Sequence, residues 1–66
     1  MEIGTHVKLK ARHLFRGGQP DLSDAIGIVG DSRNEDGFEL VSVAFHEHGV
    51  FAPDAPADLF EAVRLN

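Results

Sequence analysis

The chain has 66 residues, of which 42% are hydrophobic, and its net charge is −5. This length allows one small domain, residues 1–66, and it excludes a large enclosed active site. The absence of cysteine excludes a disulfide framework, a thiolate zinc site and a cysteine nucleophile.

The first predicted element is a strand within "IGTHVKLKA", residues 3–11. One face carries Ile3, Thr5, Val7, Leu9 and Ala11, and the other carries Gly4, His6, Lys8 and Lys10. This alternation with period two predicts a half-buried strand. The next thirteen residues, "RHLFRGGQPDLSD", break the alternation and contain "GGQP", which predicts a long loop. We expect Leu14 and Phe15 of this loop to pack against the core.

Two further strands are predicted around a hairpin turn at Asp36-Gly37. The first, "AIGIVGD" at residues 25–31, contains Gly27 and Gly30, which indicate close backbone packing or a bend. The second, "FELVSVAF" at residues 38–45, has the strongest strand pattern in the chain. Phe38 and Leu40 share one face of it, whereas Val41, Val43 and Phe45 share the other. A bulge or sharp bend near Leu40 is therefore expected, because either would let both sets be buried.

The C-terminal third contains a short strand and an ambiguous tail. "VFAP" predicts a fourth strand that ends at Pro53. In the tail, Leu59, Phe60 and Val63 have helical spacing, and Asp58 with Glu61 is similar to a capping box. Phe60, Ala62 and Arg64 also alternate with Glu61, Val63 and Leu65, as in a strand. We favour the strand, preceded by a tight turn at "PADL", because four strands leave open edges unless a fifth closes the sheet.

These elements predict an all-β fold, a small five-stranded antiparallel barrel with a long first loop and a short 3-10 turn before the last strand. Its expected core consists of Val7, Leu9, Ile28, Val41, Val43, Phe45 and Val63. No apolar run has the length of a membrane span, and "MEIGTHVKLK" has no apolar leader, so we expect a cytoplasmic protein that does not bind membranes.

The segment "AFHEHGVF" places His46 and His48 two residues apart, a spacing that metal sites use on extended strands. Here the pair falls between two strands, and a turn splays side chains that a strand would project to the same side. A stable site also needs further ligands held by rigid elements. We therefore expect His46–Gly49 to form a turn that binds no metal.

The chain offers few groups for catalysis. None of its three serines lies in a nucleophile motif, and the paired acids fall in predicted loops. The glycines match no phosphate-binding loop. We therefore expect no free-standing enzyme, although a fragment that is active only inside a complex stays open.

The candidate binding residues follow from the uneven distribution of charge. Residues 1–19 carry four cationic side chains against one glutamate, whereas residues 20–66 carry two against ten acids. The basic surface consists of Lys8, Lys10, Arg12, Phe15 and Arg16. Cations beside an aromatic ring can bind an acidic protein surface, bind nucleic acid, or only protect an edge strand.

The order of these elements resembles the small SH3-like barrels of electron-transport accessory proteins, which include photosystem I reaction-centre subunit IV and the C-terminal barrel of the nitrile hydratase beta chain. The matching stretches are Gly27-Ile28-Val29, Val41-Ser42-Val43-Ala44-Phe45 and Phe60-Glu61-Ala62-Val63, with Phe60 in place of a leucine. The resemblance covers most of the chain. It implies an SH3-like barrel without a cofactor of its own, an accessory subunit that docks on a larger protein or enzyme complex.

A second resemblance supports the alternative. "IGTHVKLK…AIGIVGD" is similar to the KOW element of ribosomal and transcription-elongation proteins, although the loop here is longer. It implies binding of RNA or single-stranded nucleic acid. Because an acidic chain binds phosphate backbones poorly, we rank a protein partner first and nucleic acid second.

Overall fold

The structure is a computed structural model that describes residues 1–64. Its strands are β1 (His6–Leu9), β2 (Gly27–Glu35), β3 (Phe38–Phe45), β4 (Val50–Pro56) and β5 (Phe60–Ala62). They form one antiparallel sheet in the order β4-β3-β2-β1-β5, with β4 and β5 at its edges. The predicted all-β fold with five antiparallel strands is therefore confirmed.

Within residues 1–64, three short 3-10 helices connect the strands: Arg12–Phe15, His46–His48 and Ala57–Leu59. The third confirms the short 3-10 turn that was predicted before the last strand, and β5 confirms the strand alternative for the tail. Leu65, which that alternative included, lies outside the described residues. Across residues 1–64, no helix is long and apolar enough to cross a membrane.

The core lies on the inner face of the sheet. It is made of Val7, Leu9, Ala25, Val29, Val41, Val43, Phe45, Ala57 and Phe60. Cross-strand partners such as Val29 and Val43, or Leu9 and Phe60, point to this face together. Burial of Val7, Leu9, Val41, Val43 and Phe45 confirms five of the seven predicted core positions.

The other two predicted core positions are wrong, because both residues are only half-buried. In β2, Gly27 and Val29 point inward, so the pleat turns Ile28 to the outer face. Val63 follows the end of β5, where Phe60 fills the core instead. Moving the alternation by one residue exchanges the buried and exposed faces of a strand. Both alternating sets of residues in β2 contain apolar side chains, so the sequence pattern alone did not show which set is buried.

The first strand is shorter than its alternating pattern. The predicted strand covered residues 3–11, whereas β1 contains only His6–Leu9. Gly4 has a φ of 92°, a conformation that a strand does not contain, so the strand begins only after it. Ile3, which precedes Gly4, is exposed. Leu14 and Phe15 are also exposed, so the expectation that they pack against the core is wrong.

Two irregularities bend the sheet, and neither adds a residue to β3. The register between β2 and β3 shifts at Gly30, and the register between β3 and β4 shifts at Pro53 and Asp54. The expectation of a bulge or bend near Leu40 that buries both sets is therefore wrong: the register shifts lie opposite Ser42 in the neighbouring strands, and Phe38 remains exposed. Edge position and bulge together explain why β4 continues past Pro53, which has no N–H to donate.

The turns follow from residues that tolerate positive φ. Asp36 and Gly37 have φ angles of 53° and 83°, as a two-residue hairpin loop of type I′ requires. This tight turn lets β2 and β3 pair up to Glu35 and Phe38, so β2 extends beyond the predicted residue 31. Gly49 ends the second 3-10 helix with a φ of 67°.

Candidate binding site

The structure places two of the four cations of the basic surface in ion pairs with the chain's own acids. Lys8 lies opposite Glu61 of β5, with 3.5 Å between Nζ and Oε1. Arg12 Nη1 lies 3.4 Å from Asp24 Oδ1. Both pairs are solvent-accessible, so each contributes at most about 1 kcal/mol to stability. Among residues 1–64, Lys10 and Arg16 form no ion pair.

Phe15 ends the 3-10 helix Arg12–Phe15, and the ring is 36% exposed. Its backbone oxygen accepts a hydrogen bond from the N–H of Gly18, which holds the helix against the following turn. The more exposed Leu14 lies beside it in the chain. The loop therefore carries two exposed apolar side chains, Leu14 and Phe15, next to Arg16 in the chain.

Asp21 organises the second half of this loop. Its carboxylate accepts hydrogen bonds from the Gly17 N–H at 2.8 Å, from the Ser23 hydroxyl at 2.6 Å and from the Ser23 N–H at 2.9 Å. The Gly17 N–H, followed by the Ser23 donors, lowers the pKa of Asp21 from 3.8 to about 2. Because Ser23 is buried, these hydrogen bonds to Asp21 hold the exposed turn at Gly17 against the body of the protein. Arg16 and Asp24 flank this hydrogen-bonded segment in the chain.

Asp21→Asn should make stability less dependent on pH in acid. A carboxyl whose pKa is lowered in the folded state stabilises the fold above the unfolded pKa of 3.8, and this contribution is lost as the pH falls through about 2. Urea unfolding from pH 5 to pH 2 should therefore show a difference between wild type and variant that shrinks as the pH falls. A difference that stays constant over this range would contradict the assignment.

An open groove of about 340 Å³ lies next to β1, on the outer face of the sheet. Its walls are formed by His6, Asp24, Ile26, Ile28, His46 and Glu47. The pairing of His6 with Ile28 brings β1 and β2 together there, and the 3-10 helix His46–His48 adds the wall that follows β3. The ion pair between Arg12 and Asp24 joins the rim of this groove to the basic surface.

Sequence reasoning missed this groove, because its lining comes from three separate stretches of the chain. The available signal was His6 on the polar face of the first strand and apolar residues in both phases of the second. That pattern places Ile28 outside whenever Gly27 and Val29 are inside. Only the register of β1 against β2 decides that His6 and Ile28 share a face.

The turn predicted at His46–Gly49 is confirmed, since His46–His48 form a 3-10 helix that Gly49 ends. His46 lines the groove together with His6, which comes from the other end of the sequence. In the part of the chain that the structure describes, no three His, Cys, Asp or Glu side chains converge as metal ligands would. The groove therefore supports no metal-site proposal.

A row of apolar side chains continues from the groove across the sheet. Cross-strand pairing aligns Ile28 of β2 with Ala44 of β3, and Ala44 with Phe51 of β4. We call Ile28, Ala44 and Phe51 the outer strip. Ile28 and Ala44 are half-buried, whereas the Phe51 ring is 62% exposed. The outer strip begins in the groove, because Ile28 belongs to both.

Comparisons with protein-family models, curated proteins and solved structures found no match for this chain. Carboxylates and imidazoles in the groove can form hydrogen bonds and attract a cation, and the outer strip offers apolar contact area. Adjacent polar and apolar regions of this kind suit binding of an extended ligand.

Proposed function

We propose that this protein is a non-catalytic interaction module, an SH3-like barrel that docks on a larger protein or enzyme complex. The sheet order β4-β3-β2-β1-β5 supports the barrel, because a bent antiparallel sheet in this order brings β4 and β5 toward each other. The long loop after β1 and the 3-10 helix before β5 agree with the same architecture. In this proposal the module acts in the cytoplasm.

The observation that carries the proposal is that two cations of the basic surface form ion pairs with acidic residues of the same chain. Nucleic-acid affinity grows with the number of phosphates that lysine and arginine neutralise. Here Lys8 and Arg12 already pair with Glu61 and Asp24. Protein interfaces depend instead on apolar and aromatic anchors with a polar rim. Phe15 beside Arg16 offers such an anchor, which favours a protein partner over RNA or single-stranded nucleic acid.

The test is an affinity pull-down from native lysate, with and without nuclease, followed by direct binding to the recovered partner. We expect a defined protein whose recovery is unchanged by nuclease. Phe15→Ala should weaken direct binding about fivefold or more, whereas Lys10→Gln should have a smaller effect. Phe38→Ala is the matched control, because that ring is exposed at the far end of the β2–β3 hairpin.

Nucleic acid is the alternative outcome of the same experiment. In that case, RNA alone would be recovered and lost after nuclease. Its binding would fall steeply between about 50 and 200 mM salt, and Lys10→Gln would weaken it for every sequence. Recovery of RNA alone, or binding of nucleic acid with this dependence on salt and on Lys10, would overturn the protein-interaction proposal.

A further inference from the structure

We propose that the groove and the outer strip bind an extended segment of a partner protein, with a lysine or arginine side chain in the groove and an aliphatic side chain on the strip. This inference deepens the proposed function, since it assumes a protein partner and names the chemistry of its segment. It places the contact on the outer face of β2, β3 and β4, beside the basic surface.

Charge decides which side chain enters the groove. The groove lining contains two carboxylates, Asp24 and Glu47, and contains neither lysine nor arginine. Asp24 already pairs with Arg12, whereas Glu47 forms no ion pair within residues 1–64. An ammonium or guanidinium group in the groove would therefore gain Glu47 as its carboxylate partner, while an acidic side chain would be repelled.

The apolar walls suit the stem of the same side chain. Ile26 and Ile28 line the groove, and the Ile26 side chain is 39% exposed. Lysine and arginine bury their methylene stems on apolar surface while the charged head stays near water or a carboxylate. A volume of about 340 Å³ lies at the lower end of the range for ligand pockets, which fits one long side chain better than a large cofactor.

The outer strip sets the next contact. Ile28 and Phe51 are two strands apart, which corresponds to roughly 10 Å across the sheet. An extended peptide advances about 3.3 Å per residue. A leucine two or three residues after the cation would therefore reach the exposed Phe51 ring. This spacing distinguishes the proposed segment from an isolated basic residue.

The test is a titration of the whole protein with the peptide acetyl-Lys-Ala-Leu-Leu-amide, in which binding is monitored by the NMR shifts of the backbone amides. Binding in the millimolar range should shift the amides of His6, Ile28, His46 and Glu47. Replacing lysine by norleucine keeps the stem but removes the charge, and it should weaken binding about two- to fivefold. Replacing lysine by glutamate should abolish the shifts in the groove, and replacing both leucines by alanine should abolish those around Phe51.

Variants of the protein test the same two contacts. Glu47→Gln should weaken the lysine peptide about two- to fivefold and leave the norleucine peptide unchanged. Its matched control is Glu35→Gln, which removes one carboxylate at the far end of β2. Phe51→Ala should weaken both peptides about fivefold, and Phe38→Ala, which truncates a comparably exposed ring, should weaken neither.

Equal affinity for the lysine and norleucine peptides, or tighter binding of the glutamate peptide, would overturn the assignment of the groove. An absence of shifts at His6, Ile28 and His46 up to about 10 mM peptide would overturn it as well. The proposed function fails separately, when the pull-down recovers RNA alone. A defined protein partner combined with a negative titration would leave the module in place and exclude only this segment chemistry.

Discussion

Phe45→Ala should cost the protein about 3–5 kcal/mol of unfolding free energy. The ring is 2% exposed and packs in the core at the end of β3. Its loss removes a large apolar surface and leaves a cavity that a small rigid sheet fills poorly. A domain of 66 residues is stabilised by about 3–10 kcal/mol in total, so we expect a large unfolded fraction. Urea unfolding followed by circular dichroism measures the change.

The control for this substitution is Phe51→Ala, which truncates the same side chain in the neighbouring strand. Phe51 lies on the outer face and is mostly exposed. Surface substitutions of this kind usually change stability by less than about 0.5 kcal/mol. If the two variants lost similar amounts of stability, Phe45 could not be the core residue that the register of β3 indicates.

Gly27→Ala should destabilise the protein by about 1–3 kcal/mol, toward the upper end of that range, although it adds only one methyl group. A Cβ atom on Gly27 would lie 2.4 Å from Val43 Cγ1 and 3.0 Å from the Phe45 ring. Both neighbours are buried and packed, so the clash must be relieved by moving side chains or the β2 backbone. Thermal unfolding of the purified variant checks this prediction.

Gly30→Ala is the matched control in the same strand. Gly30 is exposed at the β2 bulge, and a Cβ atom there would come no closer than 3.9 Å, to the Ser42 backbone oxygen. We expect a change within about 0.5 kcal/mol. A tolerated Gly27→Ala, or a Gly30→Ala that destabilises as strongly, would contradict the packing of β2 described above.

These two glycines show how far sequence reasoning reached. "AIGIVGD" indicated close backbone packing or a bend, and the structure assigns one feature to each glycine: close packing at Gly27 and a bulge at Gly30. The pattern could not assign them, because an apolar β-branched residue precedes each glycine. The identity of the packed glycine depends on Val43 and Phe45, which belong to another strand.

In the candidate site, too, some features were predicted from the sequence and others are seen only in the structure. The cations of the basic surface and the turn at His46–Gly49 were predicted from local pattern and turn residues. Their surroundings were not, since Glu61 and Asp24, which pair with Lys8 and Arg12, lie far from them in the sequence. Local sequence specifies which groups a segment carries, whereas their ion pairs depend on which segments become neighbours.

The sequence by itself determined the five strands, the Asp36-Gly37 hairpin, five of the seven expected core positions and the overall charge distribution. These features follow from alternation, turn residues and composition, which act within a few residues of the chain. Only the tertiary structure decided that Ile28 lies outside with His6, and that His46 and Glu47 complete a groove with Asp24. The physical reason is register: the pairing of β1, β2 and β3 selects which face of each strand is buried and which outer side chains meet.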